Sequence, residues 1–252
     1  MEIWIYQDAA SLGKAIAELI ASQLCQKPTT VLALASGRTP MPVYKALVEL
    51  YQEGTLSFSK ATVFALDEYL GLNNEDPHSF AVFFQDHLFS KVDLPAGQAF
   101  VPNGSATEPF RECRIYEARI LAAGGIDLAL LGIGANGHLA FNEPAPVLTA
   151  QAHVAEIADQ TRDALPPELH TIRRGLTMGM ATIMNARRLV LMASGKEKAD
   201  IVVQALLPVI NPLVPASLLQ LHPNALFALD TTAACHFITT LETSRHQITA
   251  QL

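Results

Sequence analysis

The sequence is poor in cysteine, in basic residues and in long apolar runs. Its three cysteines, Cys25, Cys113 and Cys235, are widely spaced and form no CxxC or Cys/His pattern. Neither a disulfide framework nor a metal site is expected, and the scattered set fits reduced thiols in a cytoplasmic protein. Lys and Arg number 17 against 24 Asp and Glu, a net charge of −7 at pH 7. Nucleic-acid binding needs a dense basic face, so that class is set aside, and an anionic membrane surface is a poor partner for the same reason. A small anionic substrate remains possible, because a few local donors outweigh a diffuse global charge. Residues 201–213 form the best apolar run, but Gln204 and Asn211 interrupt it and it falls short of a membrane span. The opening MEIWIYQD lacks the basic start and apolar core of a secretory signal. A soluble cytoplasmic protein is expected.

What is present is core-forming material. Half of the 252 residues are apolar and 16% are charged, and a chain of this length buries roughly 70–75% of its unfolded surface. Short β-rich runs alternate with longer amphipathic ones. Strands are expected at Glu2–Tyr6 and at residues 30–35, 61–66, 99–101, 126–131, 189–193 and 225–229. Helices are expected after Asp8, around Val43 to Tyr51, over 79–88, from Pro109, over 176–186 and over 196–207. Residues 144–174, with four prolines, read as a loop or lid. The alternation predicts one α/β domain over residues 1–252: a doubly wound, Rossmann-like, mostly parallel sheet with helices on both faces.

In such a sheet ligands bind beyond the carboxyl ends of the strands, so the residues that follow each strand carry the information. After 30–35 comes Ser36-Gly37-Arg38-Thr39-Pro40. Its hydroxyls and the free N–H groups of a helix start can hold a phosphate, although an ordinary strand-to-helix turn reads the same way. After 61–66 come Asp67 and Glu68. Neighbours on extended backbone face opposite ways, so one can serve as a base while the other is structural. After 126–131 comes Gly132-Ile133-Gly134-Ala135-Asn136-Gly137-His138, continuing to Phe141-Asn142-Glu143-Pro144. This contains a literal GxGxxG, but it does not open an apolar helix near the start of a βαβ unit, so nicotinamide binding is not expected. His138 is the one histidine in a setting where backbone and ligand come close. After 189–193 come Lys196 and Lys198 at a helix start, a poor place for a cation unless an anion is bound there; a solvated lysine pair is the alternative.

Together these segments resemble the glucosamine-6-phosphate deaminase (isomerase) family, whose superfamily includes the 6-phosphogluconolactonases. The matching pieces are residues 34–40 with Tyr44, 66–72 with Ser79, 131–144, 176–179, Gly195 with Lys198-Ala199, and 215–220 with His222-Pro223. The resemblance implies conversion of glucosamine 6-phosphate to fructose 6-phosphate and ammonia, with galactosamine 6-phosphate giving tagatose 6-phosphate as the alternative, and with no metal and no cofactor. It implies that Asp67 moves a proton between C2 and C1, that His138 opens the sugar ring with Glu143 as its acidic partner, and that Asn136 stands beside them. Ser36, Gly37, Arg38, Thr39, Gly132 and Lys198 fall to the substrate and its phosphate. The family's Asn-Ser-Arg-Phe-Phe stretch is missing after Thr161-Arg162; Asp163-Ala164-Leu165-Pro166-Pro167 stands there instead. The role of its phosphate-gripping arginine must fall to Arg162, Arg173 or Arg174, or be lost, and Arg174 resembles the galactosamine-6-phosphate branch. A lactonase, a sugar-phosphate sensor and a nicotinamide dehydrogenase are the rivals. The expected partner is a small sugar phosphate bound by a monomer or small homo-oligomer.

Overall fold

In the computed structural model, which describes residues 1–249 and their side chains as far as Leu241, the first helix begins where the sequence places its cap. Asp8 accepts a hydrogen bond from the Ser11 N–H at 2.8 Å, and the Ser11 hydroxyl oxygen accepts the Asp8 N–H at 3.3 Å. This reciprocal cap satisfies two free donors and sets α1 (Ala9–Gln26) directly behind β1 (Glu2–Tyr6). The pattern repeats along the chain: β2 (Val31–Leu34), α2 (Met41–Gln52), β3 (Thr62–Ala65), β4 (Asp67–Tyr69), α3 (Phe80–His87), β5 (Ala99–Phe100), α4 (Pro109–Ala122) and β6 (Leu128–Gly132). The second half holds β7 (His153–Glu156), α5 (Asp159–Asp163), β8 (Arg174–Thr177), α6 (Met180–Met184), β9 (Arg188–Ala193), α7 (Ala199–Leu206), β10 (Ala225–Asp230) and α8 (Thr231–Thr249).

Seven strands form one parallel sheet in the order β1-β10-β9-β6-β2-β3-β5. Alternate residues of each strand feed two cores. Leu32, Leu34, Val63 and Ala65 pack with α1, α2 and α3 on one face. Ala33, Phe64, Ala129 and Leu131 pack with α4, α6, α7 and α8 on the other. The continuous apolar strands are what burial on both faces demands. The chain runs outward from β2 through β3 to β5, then returns to β6 on the other side of β2. That reversal leaves a crevice at the carboxyl ends of β2 and β6.

Two regions depart from the expectation. The stretch 176–186 does not form one helix: β8 occupies its start and the short α6 follows. The proline-rich stretch 144–174 is not all loop, since it contains β7 and α5. Both differences have one cause. β4, β8 and β7 pair antiparallel as a separate three-stranded sheet, a tertiary pairing that local periodicity does not announce. Leu66 joins the two sheets: its N–H donates to Leu34 at 3.1 Å in the large sheet, and its carbonyl accepts from Met178 at 2.8 Å in the small one.

At the opposite end of the large sheet, Asp127 is 4% exposed. It accepts bonds from the Val31 N–H at 2.8 Å, from Lys27 at 2.7 Å and from Arg187. Burial pushes its carboxyl up, but the bonds from Lys27, the Val31 amide and Arg187 outweigh that and hold it below the usual carboxylate range. Removing it strands a buried amide and two cations. Asp127→Ala is expected to lower stability by about 2–4 kcal/mol in urea unfolding while leaving KM unchanged. The wild-type contribution is present above the ordinary carboxylate pKa and fades as pH falls through the lower folded value. A loss of stability under about 0.5 kcal/mol, the size of an ordinary surface change, would show that the cluster is not a clamp.

Candidate active site

The crevice is a cleft of about 310 Å³ lined by residues that follow four adjacent strands. Ala35 to Thr39 come from the end of β2, Leu66 and Asp67 from the end of β3, Gly132 to Asn136 and His138 from the end of β6, and Lys198 from beyond β9. Tyr69, Phe80 and Phe141 form an apolar wall, with Tyr69 and Phe80 ring centroids 4.6 Å apart. Gln160, Thr161, Ala164 and Leu165 also line the cleft, Leu165 packing against the cluster that holds Tyr69 and Phe141.

Asp67 and Glu68 diverge as extended backbone requires. Glu68 turns away and accepts three backbone bonds, from Tyr69 at 2.8 Å, Phe80 at 3.1 Å and Ala81 at 3.0 Å. It thus satisfies free donors at the start of α3, whose cap is Ser79. Asp67 turns to the cleft, 6% exposed, and its carboxyl accepts no hydrogen bond among the described residues. Burial, reinforced by the Glu68 charge, pushes it up to about 8. A carboxyl that changes charge near neutrality, in a cleft and without a fixed partner, is suited to taking and returning a proton.

The loop after β6 assembles the second group. Asn136 Nδ2 donates to Glu143 Oε2 at 2.7 Å, and Asn136 Oδ1 accepts the His138 N–H at 3.1 Å. Glu143 Oε2 lies 3.3 Å from His138 Nδ1. Glu143 sits behind the histidine rather than in the cleft lining. Burial pushes its carboxyl up, but bonds from His138, Thr161 and Asn136 and the His138 charge bring it below the usual range. An ionised Glu143 favours a proton on Nδ1, which leaves Nε2 as the nitrogen open to a ligand. Gly134 makes room for the ring: a Cβ there would lie 2.2 Å from the imidazole. The third glycine, Gly137, has φ +88° and turns the loop back.

Two cations line the cleft, Arg38 and Lys198, and neither has an ion-pair partner among the described residues. Burial lowers the Lys198 pKa; the Glu197 carboxylate opposes this and the Arg38 charge adds to it. With Ser36, Gly37 and Thr39 they surround one end of the cleft. Lys196 is exposed and outside the lining. Arg174 corrects an expectation. It is the exposed first residue of β8, opposite Glu156, and does not line the cleft. Its position follows from the small sheet, which the sequence did not reveal. Arg162 is engaged by Asp159 at 2.6 Å. Thr161 was not singled out by chemistry, yet its hydroxyl lies 3.2 Å from His138 Nδ1; its one sequence signal is its place in the Thr161-Arg162 pair.

Residues 7–227 match the model of the glucosamine-6-phosphate isomerase and 6-phosphogluconolactonase family. A glucosamine-6-phosphate deaminase of Alkaliphilus oremlandii is 39% identical over 238 residues, covering 93% of this chain and 99% of its own length. One from Shewanella loihica is 42% identical over 239 residues, covering 93% of this chain and 89% of its own. A solved structure described as a monomeric glucosamine-6-phosphate deaminase superposes with a TM-score of 0.91 at 38% identity, covering 94% of this chain and all of that one. The 6-phosphogluconolactonase of Trypanosoma brucei shares the fold at a TM-score of 0.73 and 20% identity. Among the described residues no helix is long and apolar enough to cross a membrane. With a family model spanning most of its length and relatives near 40% identity, the chain belongs to the glucosamine-6-phosphate isomerase/6-phosphogluconolactonase family.

Proposed function

We propose that the protein is an amino sugar phosphate deaminase-isomerase that converts glucosamine 6-phosphate and water to fructose 6-phosphate and ammonia. The observation that carries this reading is the unpartnered, buried Asp67 carboxyl sharing one cleft with a Glu143-backed His138. A lactone hydrolase needs an activated water; it does not need a second carboxyl poised at a carbon acid. The near-full-length deaminase relatives support the same substrate class.

In this reading the phosphate lies between the Ser36–Thr39 loop and the two cations, which fixes the sugar's far end. His138 Nε2 takes the proton from the anomeric hydroxyl and returns it to the ring oxygen, opening the ring. Asp67 then removes the C2 proton and delivers it to C1, while the C1 carbonyl oxygen gains a proton and the C2 amine gives one up, so that a C1 hydroxyl and the C2 imine form. Water adds to that imine and ammonia leaves. Glu143 and Asn136 hold the imidazole and stabilise its charged form, as an acidic neighbour does for any shuttling histidine. Gly132 brings backbone close to the sugar. The steps use groups of this chain and the substrate alone. A monomer or small homo-oligomer acting in the cytoplasm belongs to the same reading, and the relative described as monomeric supports the first alternative.

The deciding assay measures ammonia release from glucosamine 6-phosphate and galactosamine 6-phosphate side by side, with 6-phosphogluconolactone hydrolysis as a third arm. Fastest turnover of the glucosamine epimer is expected, because Arg174, the main support for the other epimer, lies outside the cleft. Predominant lactone hydrolysis would overturn the reading.

Asp67→Asn is expected to lower kcat by about 10²–10⁴ while substrate affinity stays within about tenfold, as for a base used only in the transition state. In the wild type kcat/KM should rise with pH through about 8, where the carboxyl ionises. The same substitution should stabilise. Unfolded Asp67 loses its proton near pH 4 and folded Asp67 near 8, so folding takes up a proton in between and stability falls as pH rises through that window. Asn avoids this cost, so at pH 8 thermal unfolding should move up by several degrees and at pH 4 by little. Full residual turnover would remove Asp67 from the base role.

At the phosphate end, Lys198→Ala is expected to raise KM about ten- to hundredfold, the worth of one cationic hydrogen bond. Arg38→Ala should act in the same direction. Lys196→Ala and Arg174→Ala should do little. A silent Lys198→Ala beside a crippled Arg174→Ala would relocate the phosphate site.

A further inference from the structure

Lys198 reaches the cleft from an awkward position. It is the N-cap of α7, has no side-chain cap bond, and is partly desolvated beside a second cation. The helix dipole opposes a positive charge there, so the loop that carries Lys198 needs an anchor. That loop leaves β9 through Gly195, whose φ is +96°. The Gly195 carbonyl accepts the Lys198 N–H at 3.0 Å. The Gly195 N–H donates to the carboxylate of Asp230, 3.1 Å from Oδ2 and 3.3 Å from Oδ1.

Asp230 is the last residue of β10, the strand next to β9, and is 5% exposed. Its Oδ1 also accepts the Ala233 N–H at 2.7 Å and the Thr232 hydroxyl at 2.8 Å, which caps α8. One buried carboxylate therefore holds two things: the start of α8 with one oxygen, and the Gly195 turn chiefly with the other. Asp230 and Lys198 form no ion pair, so the link runs through backbone: Asp230 to Gly195, Gly195 to Lys198. We propose that Asp230 is a positioning residue for substrate affinity, setting the Lys198 ammonium at the phosphate end of the cleft through the Gly195 turn. The proposal rests on the reading of Lys198 as a phosphate ligand.

Two variants separate this role from helix capping. Asp230→Asn keeps one acceptor oxygen for Ala233 but turns an NH₂ donor toward the Gly195 N–H. Asp230→Ser keeps a good N-cap but is too short to reach Gly195. Both are checked for cooperative thermal unfolding, then assayed with glucosamine 6-phosphate in the wild-type and Lys198→Ala backgrounds. Both variants should raise KM about five- to tenfold with kcat within about twofold, since a small misplacement of a binding group is costly. In the Lys198→Ala background they should add less than about twofold, because two changes on one path are not additive. An unchanged KM, a KM effect that persists undiminished without Lys198, or a loss confined to kcat overturns the positioning role. If Lys198→Ala raises KM while neither Asp230 variant does, the phosphate reading stands and the Asp230 proposal falls. If Lys198→Ala is itself silent, both fall.

Discussion

The site depends on one backbone hand-off. A single extended segment serves the large parallel sheet up to Ala65 and the small antiparallel sheet from Asp67, with Leu66 bonded to both. The residue just past that junction, Asp67, pairs with Thr177 in the small sheet and is fixed next to the doubly bonded Leu66. Its carboxyl is therefore buried whether or not a partner exists, and its proton affinity rises. The small sheet also carries Tyr69 of the aromatic wall, and the chain runs on from β7 into α5, whose Gln160 and Thr161 line the crevice. Without it the molecule is an ordinary doubly wound sheet with a strand-end acid in water. The topological reversal between β2 and β6 supplies the space, and Tyr69 of the small sheet walls part of it.

Charge is divided along the cleft rather than spread over the surface. A chain of net −7 places in one cleft two cations without an ion-pair partner among the described residues and the buried carboxyl of Asp67. Glu68, Glu143 and Asp230 all point away from the ligand space and spend their acceptor capacity on backbone or side-chain donors. These three carboxylates are each held by donors, whereas the Asp67 carboxyl accepts no hydrogen bond among the described residues. Gly134 shows the steric side of the same arrangement, because the imidazole occupies the volume of its missing side chain.

Much of this was legible in the residues. The parallel strands announced themselves as apolar runs, and Asp8 announced its helix as a cap. Asp67, His138, Ser36 and Lys198 were singled out because strand ends are where such sheets bind ligands, and Glu143 through the family resemblance; the structure puts the first four in the cleft lining and Glu143 behind His138. The small sheet was hidden because β4 and β8 are too short to show a period, and residues 176–186 read as helical when taken alone. Arg174 was misplaced for the same reason, since its exposure follows from pairing opposite Glu156. Thr161 and Asp230 were missed because their importance lies in contacts across 23 and 35 residues of chain. No local pattern encodes such contacts.

The lone tryptophan also has a place in this architecture. Trp4 lies in β1 at the sheet edge, its indole N–H on Glu2 and its ring against Tyr6, with β10 between it and the nearest strand that feeds the cleft. Its emission therefore reports whether the edge of the sheet is intact and is blind to what occupies the crevice. Optical unfolding curves of variants in the catalytic cleft can accordingly be compared directly, because the chromophore's surroundings stay the same from one variant to the next.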